Sequence, residues 1–250
     1  MSTGKPPSGN EETHLIPEAK LHAFVVNVLV ANGVTREDAN IVADCLLMAN
    51  VEGTDSHGVI RLAHYTRRLQ NGTIKARPKI EFLRTAPSVG ILDGGDGLGH
   101  AVGYNACTYA MEMARETGAG AVAIKDSSHF GMARFYTHRL VDEGFIGMSM
   151  TDTDPFMIPF ASRKPFLGTN PICFGFPTDD IPVILDMATT VVPYGKLALA
   201  QIEGRSIPDD WGFDADGHPT TDPNAVVGLH PMAGPKGSAL ALVIDIFCSV

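Results

Sequence analysis

The segment Asp55-Ser56-His57-Gly58-Val59-Ile60-Arg61-Leu62-Ala63-His64-Tyr65-Thr66-Arg67-Arg68-Leu69 gathers more chemistry-bearing side chains than any other stretch of the chain. Wound as one helix at about 100° per residue, it aligns His57, Arg61, His64 and Arg68 on a narrow stripe, with Tyr65 at its margin. Val59, Leu62, Ala63, Thr66 and Leu69 then face a core, and Asp55 or Ser56 is the natural N-cap. A guanidinium can grip a carboxylate through two hydrogen bonds, so the stripe suits a small anionic ligand. An ordinary solvated basic face has the same pattern, so other segments have to decide.

Lys125-Asp126-Ser127-Ser128-His129-Phe130-Gly131 follows the apolar run Ala121–Ile124 and precedes a helix-like stretch. A histidine at the carboxyl end of a strand stands where α/β enzymes place chemistry, and its near-neutral pKa lets it exchange a proton. The adjacent serines invite a second reading, a metal-free hydrolase using Ser127 or Ser128 with His57 or His129. No GxSxG elbow is present, and sequence neighbours do not form a triad.

Thr151-Asp152-Thr153-Asp154-Pro155, Gly168-Thr169-Asn170-Pro171 and Asp186-Met187-Ala188-Thr189-Thr190 each close or precede an apolar run. Each could hydrogen-bond a ligand, and each has a sufficient turn explanation. Gly234-Pro235-Lys236-Gly237 leads into the apolar run 238–250. Glycines ahead of a helix expose N–H groups that can cradle phosphate, with the lysine adding charge. The glycine-rich stretch from Asp93 to Gly103 reads GxGxxxG from Gly97, not GxGxxG, so no Rossmann domain is indicated. The other histidines (His14, His22, His100, His138, His218, His230) read as surface or satisfied residues, and no metal is expected.

These segments need a scaffold. A chain of 250 residues, 44% apolar, can bury a substantial core. A net charge of -9 argues against nucleic acid or an anionic membrane as main partner. Cys45, Cys107, Cys173 and Cys248 are far apart without ligand spacing, as expected of reduced thiols in a cytoplasmic protein. Residues 1–13 read as a disordered tail. A first helix starts at Pro17 and stops at Gly33; a second starts from Thr35 with Asp38 as a capping box and ends near Gly53. Strand-like runs follow at Ile80–Leu83, Val89–Leu92, Ala121–Ile124, Ile146–Met150, Ile172–Phe176 and Val183–Leu185, with helices about 101–116 and 132–143. The Asn71-Gly72 and Arg77-Pro78 punctuation marks a boundary near 72–78. The fold class expected is α/β: a helical segment over 14–75 carrying the basic helix, and an α/β domain over 76–250, which the family resemblance given next implies to be nicotinamide-binding.

Taken in order, Asp55-Ser56-His57-Gly58…Arg61, Ser128-His129-Phe130-Gly131, Gly168-Thr169-Asn170-Pro171, Asp186-Met187-Ala188-Thr189 and Gly234-Pro235-Lys236-Gly237 resemble the malate/L-lactate dehydrogenase family, which is distinct from the Rossmann-fold enzymes. The family includes ureidoglycolate dehydrogenase, sulfolactate dehydrogenase and piperideine-2-carboxylate reductase. The resemblance implies a mixed, largely antiparallel, non-Rossmann sheet that binds NAD or NADP, and a homodimer. It implies His129 as the proton-exchanging residue, His57 and Arg61 as the substrate grip, and Asp154 near the reacting centre. Tyr65, Thr169 and Asn170 would line the substrate; Thr153, Asp186, Met187, Ala188, Lys236 and Gly237 would touch the cofactor. The activity implied is hydride transfer between NAD(P) and a small 2-hydroxycarboxylate of malate, lactate or ureidoglycolate type. Thr153-Asp154-Pro155 and Ser206-Ile207-Pro208-Asp209-Asp210-Trp211 are similar to the ureidoglycolate branch, whereas Phe130-Gly131 after His129 is similar to the malate/lactate members. Family members run on past the Gly-Pro-Lys-Gly helix, so a truncated domain is expected at Val250, and an inactive dimerising form is the remaining alternative.

Overall fold

The computed structural model describes residues 15–249. The tail expected over 1–13 lies outside them. Helices Glu18–Ala31 (α1) and Arg36–Val51 (α2) lie against each other through Val25, Leu29, Val42 and Leu46. Thr35 caps α2 as its sequence indicates: its Oγ1 accepts the Asp38 N–H at 3.1 Å and donates to the Asp38 carboxylate at 2.7 Å.

The basic segment is not one helix. It forms a 3₁₀ turn at Asp55–His57, an extended break at Gly58, a second 3₁₀ turn at Val59–Arg61, and only then the helix Leu62–Gln70 (α3). The cause is Asn50 on α2. Its Oδ1 takes the Val59 N–H at 2.9 Å and its Nδ2 donates to Asp55 at 2.5 Å, so helix-type bonding is interrupted here. Gly58 permits this approach, because a Cβ there would stand 2.4 Å from Asn50 Oδ1. Asp55 therefore serves Asn50 instead of capping a helix. The break also rotates the faces: Leu62 and Tyr65 enter the core with Ile74 and Leu98, while Ala63 is exposed.

Strands Glu81–Ala86 (β1), Val89–Asp93 (β2) and Ala121–Lys125 (β3) form one sheet, β1 antiparallel and β3 parallel to β2, with Leu92 opposite Ile124. The helix Gly99–Thr117 (α4) is the crossover that a parallel pair requires. Gly147–Met150 (β4), Ile172–Phe176 (β5) and Val183–Met187 (β6) make an antiparallel sheet, packed by the helix Ala133–Asp142 (α5). Gly212–Phe213 (β7) and Gly228–Leu229 (β8) form a short antiparallel ladder. The architecture is thus mixed and largely antiparallel, as expected.

The helix Tyr194–Glu203 (α6) and the β7–β8 ladder were not foreseen. Two-residue strands carry no readable alternation, and α6 starts directly after Pro193 within a region broken by prolines. The last helix, Pro235–Ser249 (α7), follows Ala233 and Gly234, both at positive φ. No described helix is long and apolar enough to cross a membrane.

Candidate active site

Three elements meet at His129. The loop after β3 carries it, exposed to solvent; α3 brings Tyr65, fully buried, whose hydroxyl lies 2.7 Å from His129 Nδ1; and the 3₁₀ turn Asp55–His57 stacks the His57 ring at 5.8 Å, 26° from parallel. Gly131, at φ +79°, points its N–H back to the same Nδ1 at 3.2 Å. Gly99, at the head of α4, donates its N–H to Ser128 Oγ at 3.0 Å and fixes the loop from below. Arg61 is held by its Nε bond to the Ser56 carbonyl at 2.6 Å. Ser56 Oγ also lies 3.0 Å from His57 Nδ1.

The electrostatics are one-sided. Surrounding protein, then the His100, His57, Arg61 and His64 charges, hold His129 well below the usual imidazole range. Burial, then Arg61, push His57 down to about 4. Burial, and to a lesser degree the thiol of Cys45, raise the Tyr65 phenol, against which Arg61 acts. Both imidazoles are thus held in their neutral form, beside the Arg61 guanidinium.

His100 was read from sequence as a surface or satisfied residue, and that reading is corrected. It is fully buried on α4, edge-on to the Tyr65 ring at 5.0 Å, and neither ring nitrogen has a hydrogen-bond partner. Its place directly after Gly99, at the strand-to-helix turn, was the one available signal. His230 likewise has a buried, unpartnered Nε2 and stacks on Phe213 at 3.7 Å. His22 does pair with Asp44 at 2.9 Å. Asp214, Asp216 and His218 come together on an exposed turn, where Asp214 Oδ1 already accepts the N–H groups of Asp216 and His218.

The segments expected to hold a cofactor form a second locus. Thr169 N–H donates to Thr153 Oγ1 at 2.8 Å, Thr189 N–H to Thr169 O at 2.9 Å, and Met232 N–H to Thr189 O at 2.9 Å, which joins the turn at 153, the end of β6 and the head of α7. Gly237 abuts this seam, since a Cβ there would lie 2.3 Å from Met232 O and 2.8 Å from Thr189 O. Lys236 beside it is exposed, and Met187 and Ala188 are half-buried. Asp186 is engaged by Arg134 at 3.4 Å, which also binds Glu52, the C-cap of α2, at 2.6 Å. Asn170 departs from its expected ligand-facing role. It is fully buried, accepts the Thr153 N–H at 3.0 Å and donates to Ala241 O at 2.9 Å, so it holds the turn and α7 together. Asp154 is exposed, and no hydrogen bond or ion pair joins it to His129.

The helix α6 packs on the first 3₁₀ turn, with Gly195 so close that a Cβ would stand 2.3 Å from Ser56 Cβ. Neither Ser127 nor Ser128 bonds to His57 or His129, which removes the serine hydrolase geometry; Ser128 Oγ instead receives the Gly99 N–H. The fold that carries this cluster of imidazoles is mixed and non-Rossmann. The comparisons give the family. Residues 16–250 match the model for malate/L-lactate dehydrogenase. Over 245 residues the chain is 40% identical to the malate dehydrogenase of Pyrococcus horikoshii, covering 94% of this chain and 68% of that one. The solved structure of that enzyme superposes with a TM-score of 0.83 at 38% identity, over 92% of this chain and 66% of the other. The ureidoglycolate dehydrogenase (NAD(+)) of Escherichia coli K12 is 36% identical, over 94% of this chain and 68% of its own length. The (2R)-3-sulfolactate dehydrogenase (NADP(+)) of Chromohalobacter salexigens is 34% identical, over 94% and 71%. The chain belongs to the malate/L-lactate dehydrogenase family, whose named members are NAD(P)-dependent hydroxy acid dehydrogenases. It spans about two thirds of the length of these relatives.

Proposed function

We propose that this chain catalyses reversible hydride transfer between NAD or NADP and a small 2-hydroxycarboxylate of the malate, lactate or ureidoglycolate type. The observation that carries the reading is the gathering of His129, His57 and Tyr65, with the His57 ring stacked at 5.8 Å and the Tyr65 hydroxyl at 2.7 Å, and with Arg61 near enough to act on both imidazoles. Arg61 grips the substrate carboxylate through paired N–H groups, and His57 flanks it. Tyr65 and Thr169 complete the substrate side. His129 exchanges a proton with the oxygen on C2 through Nε2, the ring nitrogen not engaged by Tyr65. Positioning and proton exchange are what the protein supplies; the nicotinamide, when bound, accepts or delivers the hydride.

The second locus fits such a cofactor. The exposed Lys236 ammonium at the head of a 15-residue helix suits a phosphate, and hydroxyl and backbone groups of Thr153, Asp186, Met187, Ala188 and Gly237 gather on one seam. Asp154, in the same turn as Thr153, would act from that side. On this reading residues 14–75 form the substrate-binding helical segment and 76–250 the nicotinamide-binding part. A cytoplasmic homodimer accords with the apolar side chains left on the sheet faces, among them Leu83 at 64% and Val183 at 58% exposure.

The test is a panel of malate, lactate, ureidoglycolate and sulfolactate, each with NAD and NADP, followed by nicotinamide absorbance. Reduction of the cofactor by at least one of the four is expected. Silence across the whole panel, in both directions, overturns the proposal.

A further inference from the structure

His129 Nδ1 has two neighbours within hydrogen-bond distance, Tyr65 Oη at 2.7 Å and the Gly131 backbone N at 3.2 Å. A backbone N–H can only donate, so a ring nitrogen that receives it carries a lone pair and no proton. Tyr65 must then donate to the same atom, and neutral His129 carries its single proton on Nε2. We propose that Tyr65 and Gly131 together lock the resting His129 in the Nε2–H tautomer, and that His100 is the positioning residue that holds both donors in place.

His100 touches each of them. Its ring meets the Tyr65 ring edge-on at 5.0 Å, and its Nε2 lies 2.7 Å from where a Gly131 Cβ would stand. Its nitrogens are buried without partners, which costs free energy that an apolar ring of the same shape would avoid. The ring therefore stabilises by shape rather than by bonding, wedged between α3 and the loop after β3. The lock also has a consequence for ligands. The resting pocket offers an N–H, which an oxo oxygen accepts directly. A hydroxyl proton can be taken only after the imidazole proton has moved to Nδ1, with Tyr65 turning to accept and Gly131 losing its acceptor. The free enzyme is thus set to bind a 2-oxo acid by a hydrogen bond from Nε2; giving that proton to the reduced oxygen requires Nδ1 to take one in turn, and Tyr65 Oη is the hydroxyl that faces it.

The catalytic meaning of this inference rests on the dehydrogenase reading, but its test does not. The 15N spectrum of histidine-labelled protein, with no cofactor or substrate, separates pyridine-type from pyrrole-type ring nitrogens, and His129→Gln assigns the resonances. Nδ1 of His129 is expected to be pyridine-type and Nε2 pyrrole-type. Tyr65→Phe keeps the ring and removes the donor, and should bring both tautomers into view. His100→Ala, which removes the wedge, should do so less completely, whereas His100→Phe, which keeps a ring there, should leave the lock in place; thermal melting checks that both stay folded. A pyrrole-type Nδ1 in the unsubstituted protein overturns the lock. A spectrum unmoved by Tyr65→Phe overturns the part of Tyr65, and one unmoved by His100→Ala in the folded protein, or loosened as much by His100→Phe as by His100→Ala, overturns that of His100. Inactivity in the substrate panel would leave all these outcomes readable.

Discussion

Gly99 and Ser128 touch backbone to side chain and side to backbone: the Gly99 N–H bonds Ser128 Oγ at 3.0 Å, and a Cβ on Gly99 would stand 2.1 Å from the Ser128 carbonyl oxygen. The first turn of α4 and the loop bearing His129 are therefore one rigid unit. Gly99→Ala has to push that loop away, because the obstructing atoms are backbone. Overpacking of this kind costs about 1–3 kcal/mol. The expected outcome is a lower denaturation midpoint together with a fall in kcat, since the displaced loop carries the proton-exchanging residue. Unchanged kcat in the folded variant would show that the loop tolerates the shift.

His129→Ala and Arg61→Ala should fail differently. Loss of a positioned acid–base group reduces kcat by roughly 10²–10⁴-fold with little change in KM. Loss of the guanidinium removes charge-assisted bonds worth about 1.5–3 kcal/mol and should raise KM as well as lower kcat/KM. Steady-state kinetics on the best substrate of the panel separates the two patterns.

Much of this was legible from sequence because the relevant signals were local. The β5 strand falls at Ile172–Phe176 as its apolar run indicates, and the Thr35–Asp38 cap forms as its spacing indicates. What escaped reading depended on contacts between distant segments. The basic segment breaks because Asn50, on another helix, takes the Val59 N–H. His100 is buried because α4 starts beneath the His129 loop, and no periodicity within 99–117 marks one histidine as enclosed. Asn170 looks like a ligand-facing turn residue until α7, 71 positions away in sequence, supplies the Ala241 carbonyl it binds.

Asn170→Ala should accordingly act on stability before chemistry. It removes the acceptor of the half-buried Thr153 N–H and the buried donor to the Ala241 carbonyl, at about 0.5–1.5 kcal/mol for each hydrogen bond lost. Hydrogen exchange should show faster opening of α7 and of the turn at 153, with the His129 loop unaffected. Protection unchanged in α7 would mean that Asn170 does not tie the helix down.

The buried His100 gives the fold a pH dependence whose sign can be worked out. Burial, with a smaller contribution from His57, pushes its pKa from the ordinary 6.5 down to about 3. Above pH 6.5 neither the folded nor the unfolded chain protonates it, so it contributes no slope. Between about 6.5 and 3 the unfolded chain takes up a proton that the folded one refuses, so stability falls as pH falls, by up to about 1.4 kcal/mol per unit for this group. His57, pushed down to about 4, acts in the same direction over the upper part of the window. Carboxylates such as Asp186 also titrate toward the acid end, and Asp186, raised chiefly by burial, works against the trend there. The clean comparison is therefore His100→Phe against the unsubstituted protein, melted at intervals from pH 7 down to 4.5. The variant should lose less stability per unit over that interval, so that the two melting curves diverge steadily as acid is added; parallel loss would mean that His100 takes up its proton in the folded state as readily as in the unfolded one.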